Sequence, residues 1–260
     1  MPAQPELLVQ ADAESLATDV AVRVVSTLAR AQQSRGRAAL ALTAGSIMEQ
    51  VWSAIAAAPL RDTVDWSRVD VFWADERYVP AGSAERNDAP ANRLLFSQPP
   101  FKAARLFPMP ASDGRYANLD DAAAGYAEQL SDARRPDDPE EVPHFDVLLL
   151  GVGPDGHCAS LFPEHPSVYD ESGPVIAVRN SPKPPPLRIS LSFQGLAVAN
   201  EIWFVAAGAG KARAVALALS GAGRVQVPSA GPRGRFRTLW LVDREAAAGL
   251  PRHPDGRPML

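Results

Sequence analysis

Cysteine is nearly absent from this sequence, because Cys158 is the only one among 260 residues. A chain with one cysteine cannot form an internal disulfide, so a packed core and hydrogen bonds have to stabilise the fold. This cysteine usage leaves the redox compartment open, with a bias towards the cytoplasm.

Long apolar runs and an excess of basic residues are also missing. No stretch approaches the roughly 18 apolar residues that a membrane-spanning helix needs. The first twenty residues contain acidic side chains and no basic segment followed by an apolar one, so we expect no signal peptide and a cytoplasmic location. The formal net charge of −4 and the pI near 5.6 argue against a general binder of nucleic acid or of anionic membranes. An anionic small molecule in a locally basic pocket remains possible.

Signatures of two enzyme classes are absent as well. The four histidines, at positions 144, 157, 165 and 253, show no H-E-x-x-H or comparable ligand spacing, so we expect no metal. No G-x-S-x-G segment is present, which argues against a serine hydrolase of the usual kind.

What is present is the composition of an ordinary globular protein, with 46% apolar and 22% charged residues. The 25 prolines and 18 glycines predict many short loops rather than disorder. Neither proline-punctuated segment, 134–143 or 180–188, separates regions of different composition. We therefore expect a single domain over residues 1–260.

Short apolar strands alternate with helical patterns along the chain. Residues 12–33 repeat apolar side chains every four positions, which is typical of an amphipathic helix. The run "FDVLLL" at 145–150 is continuously apolar, as in a parallel strand buried on both faces. Predicted strands cover 38–43, 69–74, 145–150, 201–208 and 238–243, and predicted helices cover 12–33, 47–55, 87–96, 119–131, 211–220 and 244–250. The alternation predicts an α/β fold with a Rossmann-like, mostly parallel sheet flanked by helices.

Small or charged residues follow four of the predicted strands, at 43–46, 75–77, 151–157 and 208–211. Ligands of parallel α/β sheets bind at the carboxyl ends of the strands, so we expect these four segments to form one site.

The segment 151–157 also matches the G-x-G-x-x-G spacing of dinucleotide-binding proteins. That fingerprint needs a helix that begins at the third glycine, and here Pro163 would end any such helix within two turns. The sequence disfavours a nicotinamide, and we expect no cofactor. The more informative residues are Asp155 and His157, two polar side chains at the end of a buried strand.

Three ordered motifs resemble one known family. The stretch "LLLGVGPDGHCASLFPEHP" is similar to the 6-phosphogluconolactonase signature L-G-x-G-x-D-G-H-T-A-S-L-F-P. "FWADERYVP", followed by Asn87, resembles the family's W-x-D-E-R-x-V-P and later S-N. "LRISLSFQGLAVANEIWFVAAGAGK" resembles its R-I-T-L-T and G-x-x-K segments. The resemblance covers roughly residues 7–250 and implies a glucosamine-6-phosphate isomerase-like fold.

The sequence departs from the family pattern at three places. Ala44 replaces a glycine of the usual phosphate-loop motif S-G-G-S-T-P, and Cys158 stands where threonine is usual. Glu85 and Arg86 precede Asn87 in place of a serine.

The resemblance implies hydrolysis of 6-phospho-D-glucono-1,5-lactone to 6-phospho-D-gluconate, in the oxidative pentose phosphate pathway. His157 is then the general base that activates water, since imidazole accepts a proton near neutral pH. Asp155 would orient His157 or stabilise its charged form. The alternative roles are a structural histidine and a turn-forming aspartate.

The predicted substrate-binding residues are basic side chains and a small-residue loop. Arginine binds phosphate with two parallel hydrogen bonds, and lysine binds it as a point charge. The alternative role for each of these basic residues is a surface salt bridge. A helix start can cradle phosphate, although Ser46 could instead be a plain N-cap. Asp75 and Glu76 could position a neighbouring arginine or bind sugar hydroxyls. Of the two, only Asp75 is predicted to bind the substrate. The set is Thr43, Gly45, Ser46, Asp75, Arg77, Arg188 and Lys211.

Three alternatives stay open. A thiol nucleophile at Cys158 is disfavoured, because residues adjacent in sequence do not form the required dyad with His157. An amino-sugar phosphate isomerase or deaminase would have a further acid soon after the histidine, and here only Glu164 follows, beyond a proline. A non-catalytic sugar-phosphate sensor would not need both Asp155 and His157. The partner we expect is a phosphorylated sugar lactone, and the chain is expected to be a monomer or a small homo-oligomer.

Overall fold

A computed structural model describes residues 4–136, 138 and 142–251. Within these residues, seven strands form one sheet: β1 (Glu6–Gln10), β2 (Ala38–Leu42), β3 (Val69–Trp73), β5 (Arg105–Phe107), β6 (Val147–Gly151), β9 (Glu201–Ala206) and β10 (Arg237–Asp243). All are parallel, and their order in the sheet is β1-β10-β9-β6-β2-β3-β5. The parallel α/β architecture predicted from the sequence is confirmed.

The sheet is flanked by helices, and the longer ones bury one apolar stripe. The α-helices are α1 (Ala13–Arg35), α2 (Ser46–Ala57), α3 (Asp88–Ala91), α4 (Leu119–Asp132), α5 (Phe193–Leu196) and α6 (Ala212–Leu219). Helix α1 begins where the Asp12 side chain accepts a hydrogen bond from the Ser15 amide, 2.8 Å away. It ends at Gly36, whose φ of 75° places it in the left-handed region. None of the helices in the described part of the chain is both long and apolar enough to cross a membrane.

A second, smaller sheet is antiparallel and was not predicted. It contains β4 (Asp75–Arg77), β8 (Arg188–Leu191) and β7 (Val175–Val178), in the order β4-β8-β7. The chain leaves the large sheet at Ala74, whose amide donates to Leu42 and whose carbonyl accepts from Leu191. The register places Arg77 opposite Arg188. This sheet therefore brings together basic side chains that are more than a hundred residues apart in sequence.

Several sequence expectations need correction. The helix predicted at 244–250 is wrong, because these residues form turns in which the Asp243 side chain accepts from the amide of Ala246. The helix predicted at 87–96 is split into α3 and a wider π-helical segment at 92–96. The strands β1, β4, β5, β7 and β8 were not among the predicted strands. Part of the 134–143 loop lies outside the described residues.

Buried apolar side chains from both sheets and from the main helices belong to one cluster. It includes all five tryptophans and the phenylalanines of the central strands. The rings of Phe204 and Trp240 stack between β9 and β10, with centroids 4.4 Å apart. The core thus holds the carboxyl ends of the central strands rigidly against one another.

Candidate active site

The carboxyl ends of β2, β4, β6 and β9 surround a cavity of about 290 Å³. Eight of the nine residues predicted for the site line it, and the ninth, Asp155, contacts the lining residue His157. The lining residues are Thr43, Ala44, Gly45, Ser46, Ile47, Asp75, Arg77, Asn87, Gly151, Val152, Gly153, Pro154, His157, Ala159, Lys183, Arg188, Val205, Ala206, Ala207 and Lys211. The four segments expected to meet at this edge of the sheet do meet.

The turn 153–157 is held by its own backbone and shaped by two glycines. The Gly153 amide donates to the His157 carbonyl at 2.8 Å, and the Gly156 amide donates to the Gly153 carbonyl at 2.9 Å. Gly156 has a φ of 88°, which a residue with a side chain rarely adopts. A Cβ on Gly153 would lie 1.9 Å from Nδ1 of His157. The glycines therefore make room for the histidine.

His157 and Asp155 form a close pair across this turn. Nδ1 of His157 lies 2.5 Å from Oδ1 of Asp155, and the imidazole packs on Phe162 with ring centroids 4.8 Å apart. Partial burial alone would raise the pKa of Asp155, but the hydrogen bond and charge of His157 outweigh it and hold that pKa well below its usual range. An ionised Asp155 accepts the Nδ1 proton, which leaves Nε2 as the acceptor of the neutral ring. Asp155 also accepts a long bond of 3.4 Å from the His157 amide, so the turn-forming role exists beside the pairing.

Lys183 is a site residue that the sequence reasoning missed. Its Nζ lies 3.3 Å from Oδ1 of Asp155 and 3.2 Å from Nδ1 of His157. Because the ammonium and the protonated Nδ1 are both donors, the hydrogen bond of Lys183 goes to the carboxylate, and Asp155 accepts from two donors. In sequence Lys183 stands within the proline-rich segment 180–188, which has no strand or helix pattern. Only the tertiary fold brings it to the pair.

Arg188 holds the loop that carries Lys183. It is 5% exposed, and its Nη2 donates to the carbonyls of Lys183 and Pro184 at 3.0 Å each. Its Nη1 lies 4.0 Å from a carboxylate oxygen of Asp75, and its guanidinium lies 5.6 Å from the centre of the Phe162 ring. Burial lowers the pKa of Arg188, with the charge of Asp75 opposing that shift. Arg188 is therefore a wall of the cavity and a clamp on the loop, and not the surface salt bridge that was its alternative.

Residues 75–77 form a strand, so their side chains point alternately to opposite faces of the small sheet. Asp75 and Arg77 line the cavity, whereas Glu76 is fully buried on the opposite face. Glu76 accepts hydrogen bonds from the amides of Arg77, Asn87 and Asp88, at 2.6 to 3.0 Å. Burial raises its pKa to about 7, against the opposing charge of Arg86. Glu76 thus organises the 85–88 loop, and Asp75 is the carboxylate of the cavity.

The 43–46 loop offers the cavity backbone N–H groups more than side-chain hydroxyl groups. The Thr43 hydroxyl donates to the Leu149 carbonyl at 3.2 Å and accepts from the Gly151 amide at 3.1 Å, which ties β2 to β6. The N-cap of α2 is Gly45, with a φ of 143°, so the N-cap alternative for Ser46 is wrong. Ser46 is the first residue of α2. The first amides of a helix have no partner inside it, so this end of α2 presents N–H groups at the cavity.

Positive charge dominates the cavity wall. Among its described lining residues, four are cationic (Arg77, Lys183, Arg188 and Lys211) and one, Asp75, is a carboxylate. Burial lowers the pKa of Lys211, and the charge of Lys183 lowers it further. The wall is suited to an anionic ligand although the whole chain has a net charge of −4.

Other reactive groups lie away from the cavity. Cys158 is fully buried, and that burial raises the pKa of its thiol. Glu164 does not line the cavity. In the described part of the chain, no group of three or more His, Cys, Asp or Glu side chains is placed to hold a metal ion.

Comparison with known proteins finds relatives that match most of the chain. The sequence model described as "Glucosamine-6-phosphate isomerases/6-phosphogluconolactonase" matches residues 11–240. The chain is 50% identical over 249 residues to the 6-phosphogluconolactonase of Streptomyces coelicolor, covering 95% of both chains. It is 43% identical over 241 residues to that of Mycobacterium tuberculosis, covering 92% of this chain and 96% of the other.

Among solved structures, the 6-phosphogluconolactonase of Trypanosoma brucei superposes with a TM-score of 0.81 at 27% identity, over 95% of this chain and 99% of that one. A monomeric glucosamine-6-phosphate deaminase shares the fold, with a TM-score of 0.74 at 18% identity over 94% of this chain and 99% of that one. The chain belongs to the glucosamine-6-phosphate isomerase/6-phosphogluconolactonase family.

Proposed function

We propose that this protein hydrolyses 6-phospho-D-glucono-1,5-lactone to 6-phospho-D-gluconate, as a step of the oxidative pentose phosphate pathway. The observation that carries the proposal is the His157–Asp155 pair, which offers Nε2 as a base in the wall of a cationic cavity. The names of the relatives that are 43% to 50% identical support the same activity.

The chemistry follows from the properties of a lactone, which is an activated ester. Nε2 of His157 takes a proton from a water molecule, and the water oxygen attacks the lactone carbonyl carbon. The tetrahedral intermediate then collapses as the bond between that carbon and the ring oxygen breaks. The imidazolium returns its proton to the leaving ring oxygen, and the new carboxylic acid ionises. The ionised Asp155 stabilises the transient imidazolium.

The phosphate of the substrate is assigned to the cationic wall. Arg77, Arg188 and Lys211 provide charge, and the backbone N–H groups at Gly45 and Ser46 provide hydrogen bonds at the start of α2. Binding the phosphate there positions the lactone ring for His157, which lowers the entropic part of the barrier.

An amino-sugar phosphate deaminase is the alternative on the same fold. Ring opening by such an enzyme needs a second acid close to the histidine. Among the described lining residues the one carboxylate is Asp75, and its Oδ2 accepts a hydrogen bond from the Ser160 hydroxyl at 2.7 Å. Ammonia release from glucosamine 6-phosphate would favour this alternative, and we expect none.

The deciding experiment measures turnover of freshly generated 6-phosphogluconolactone, coupled to oxidation of the product and corrected for spontaneous hydrolysis. We expect His157→Ala to lower kcat by about 100-fold or more, since general base catalysis contributes that much. His144→Ala is the matched control, because His144 lies near Asp146 and Arg235, away from the cavity. Near-normal turnover by His157→Ala would reject the assignment of the base.

A further inference from the structure

Asn87 lies in the wall of the cavity with one unused polar atom. The residue is 4% exposed, and its carboxamide oxygen Oδ1 is buried without a hydrogen-bond partner among the described residues. A buried acceptor without a donor is unfavourable, so such an atom points to a group that arrives with a ligand.

The identity of this atom is fixed by its neighbour. The other end of the carboxamide lies 2.9 Å from the carbonyl oxygen of Asp75. A carbonyl oxygen only accepts, so the NH₂ group must face Asp75 and the oxygen must face the other way. Oδ1 is therefore the atom of this side chain that has no partner in the described part of the chain.

The position of Asn87 is fixed as well. Its backbone amide donates to Glu76 at 2.6 Å. Asn87 precedes α3, but its side chain makes no capping hydrogen bond there. The local structure thus holds the carboxamide in place and makes no use of its oxygen.

The chemistry of the missing partner follows from what can donate a hydrogen bond. A phosphate dianion, a carboxylate and a lactone carbonyl offer only acceptors. An ammonium group would donate, but Arg77, Lys183, Arg188 and Lys211 make the wall unfavourable for another cation. A neutral O–H group is the donor that fits, and a sugar hydroxyl can supply it in place of water.

Oδ1 is buried in this structure, and we propose that substrate binding uncovers it and that it then accepts a hydrogen bond from a ring hydroxyl, so that Asn87 selects polyhydroxylated lactones over deoxygenated ones. This inference rests on the proposed lactonase function, in which the ligand carries hydroxyl groups at C2, C3 and C4. It adds a specificity-determining residue on the face of the cavity that Asp75 and Arg77 form.

The test compares the parent lactone with its 2-deoxy, 3-deoxy and 4-deoxy analogues, each generated from the corresponding sugar 6-phosphate. We expect the wild type to prefer the parent lactone over one of the analogues by about 10-fold or more in kcat/KM. That analogue lacks the hydroxyl that Oδ1 binds, so the buried acceptor is left unpaired. In Asn87→Ala, and in the similarly sized Asn87→Leu, that preference should fall to about 3-fold or less.

A purely structural role would give a different result. Asn87 variants would then lose activity by the same factor on all four lactones, and this outcome would overturn the inference. Asn118→Ala is the matched control, since Asn118 caps α4 and does not line the cavity. Its preferences should equal those of the wild type.

Failure of the proposed function can be distinguished from failure of this inference. A wild-type protein that does not hydrolyse the parent lactone contradicts the function. Calorimetric binding of 6-phosphogluconate and its three deoxy analogues then makes the same comparison without turnover. Equal ratios for wild type and Asn87 variants in that measurement reject the role of Asn87.

Discussion

At the scale of single residues, the 153–157 turn depends on Gly153 having no side chain. A Cβ there would lie 1.9 Å from Nδ1 of His157 and 2.4 Å from Oδ1 of Asp155. We expect Gly153→Ala to displace the imidazole and to lower kcat by about 100-fold, since misplaced catalytic groups of this kind lose that much rate. Steady-state turnover together with circular dichroism checks it.

Gly173→Ala is the control for that substitution. A Cβ at Gly173 would meet no atom within 4 Å, so this variant should keep full activity. A Gly153→Ala protein that is folded and fully active would show that the close pair is not needed for turnover.

Part of the site could be predicted from single residues and part could not. His157, Asp75 and Arg77 follow buried strands, and strand ends of a parallel sheet converge at one edge whatever the details of the fold. Lys183 lies in a segment without periodicity, so its contact with Asp155 depends on the tertiary fold. The role proposed for Asn87 depends on its Oδ1 having no hydrogen-bond partner among the residues that the structure describes, and no sequence pattern indicates that.

At the scale of elements, β4 connects the two sheets and carries the buried Glu76. The raised pKa of about 7, compared with an ordinary value of 4.5, means that the folded protein binds this proton more tightly than the unfolded chain does. The stability that this proton contributes is present at low pH and is lost as pH rises through 7.

We therefore expect the wild type to lose stability between pH 5 and pH 8 relative to Glu76→Gln. The free energy of unfolding of the variant minus that of the wild type should rise by on the order of 2 kcal/mol over this range. Urea unfolding at both pH values measures this change. Any stability that the variant loses through its weaker hydrogen-bond acceptor is the same at both pH values and cancels in the comparison. Exposed Glu128→Gln serves as the control. Parallel pH dependences of the wild type and Glu76→Gln would contradict the raised pKa.

Long, strongly patterned elements were predictable, and short ones were not. The apolar repeat of α1 and the continuous apolar run of β6 can be recognised in the sequence, because each reflects the faces that the element buries in the core. Strand β5 has three residues and exists through its pairing with β3. The alanine-rich stretch 244–250 has helical propensity, but Asp243 accepts from the amides of Gly208 and Ala246 and holds the chain in a turn. Tertiary hydrogen bonds overrode the local preference there.

At the scale of the whole molecule, the net charge and the cavity charge have opposite signs. The chain carries −4 overall, and four cations line the cavity. Local cations attract an anionic substrate over distances that salt shortens, from a screening length of about 30 Å at 0.01 M to about 8 Å at 0.15 M. The expectation of a single domain over 1–260 and of a monomer or small oligomer stays a prediction.

We expect kcat/KM to fall several-fold as sodium chloride rises from about 0.01 to 0.15 M, with kcat nearly constant. The physical reason is that screening weakens substrate capture and leaves the short-range chemistry unchanged. Steady-state kinetics in the sodium salts of two different monovalent anions, chloride and acetate, check it, because an anion that competes specifically for the cationic wall would separate the two curves. A kcat/KM that does not change with salt would show that the cationic wall does not assist capture.

Cys158 has a consequence for how this molecule can be studied. It is the only thiol of the chain, and the native fold gives solvent no access to it. A thiol reagent can react only after the structure around residue 158 has opened. The rate of labelling thus reports the opening of the very segment that carries His157, with no engineered probe and no second cysteine to subtract.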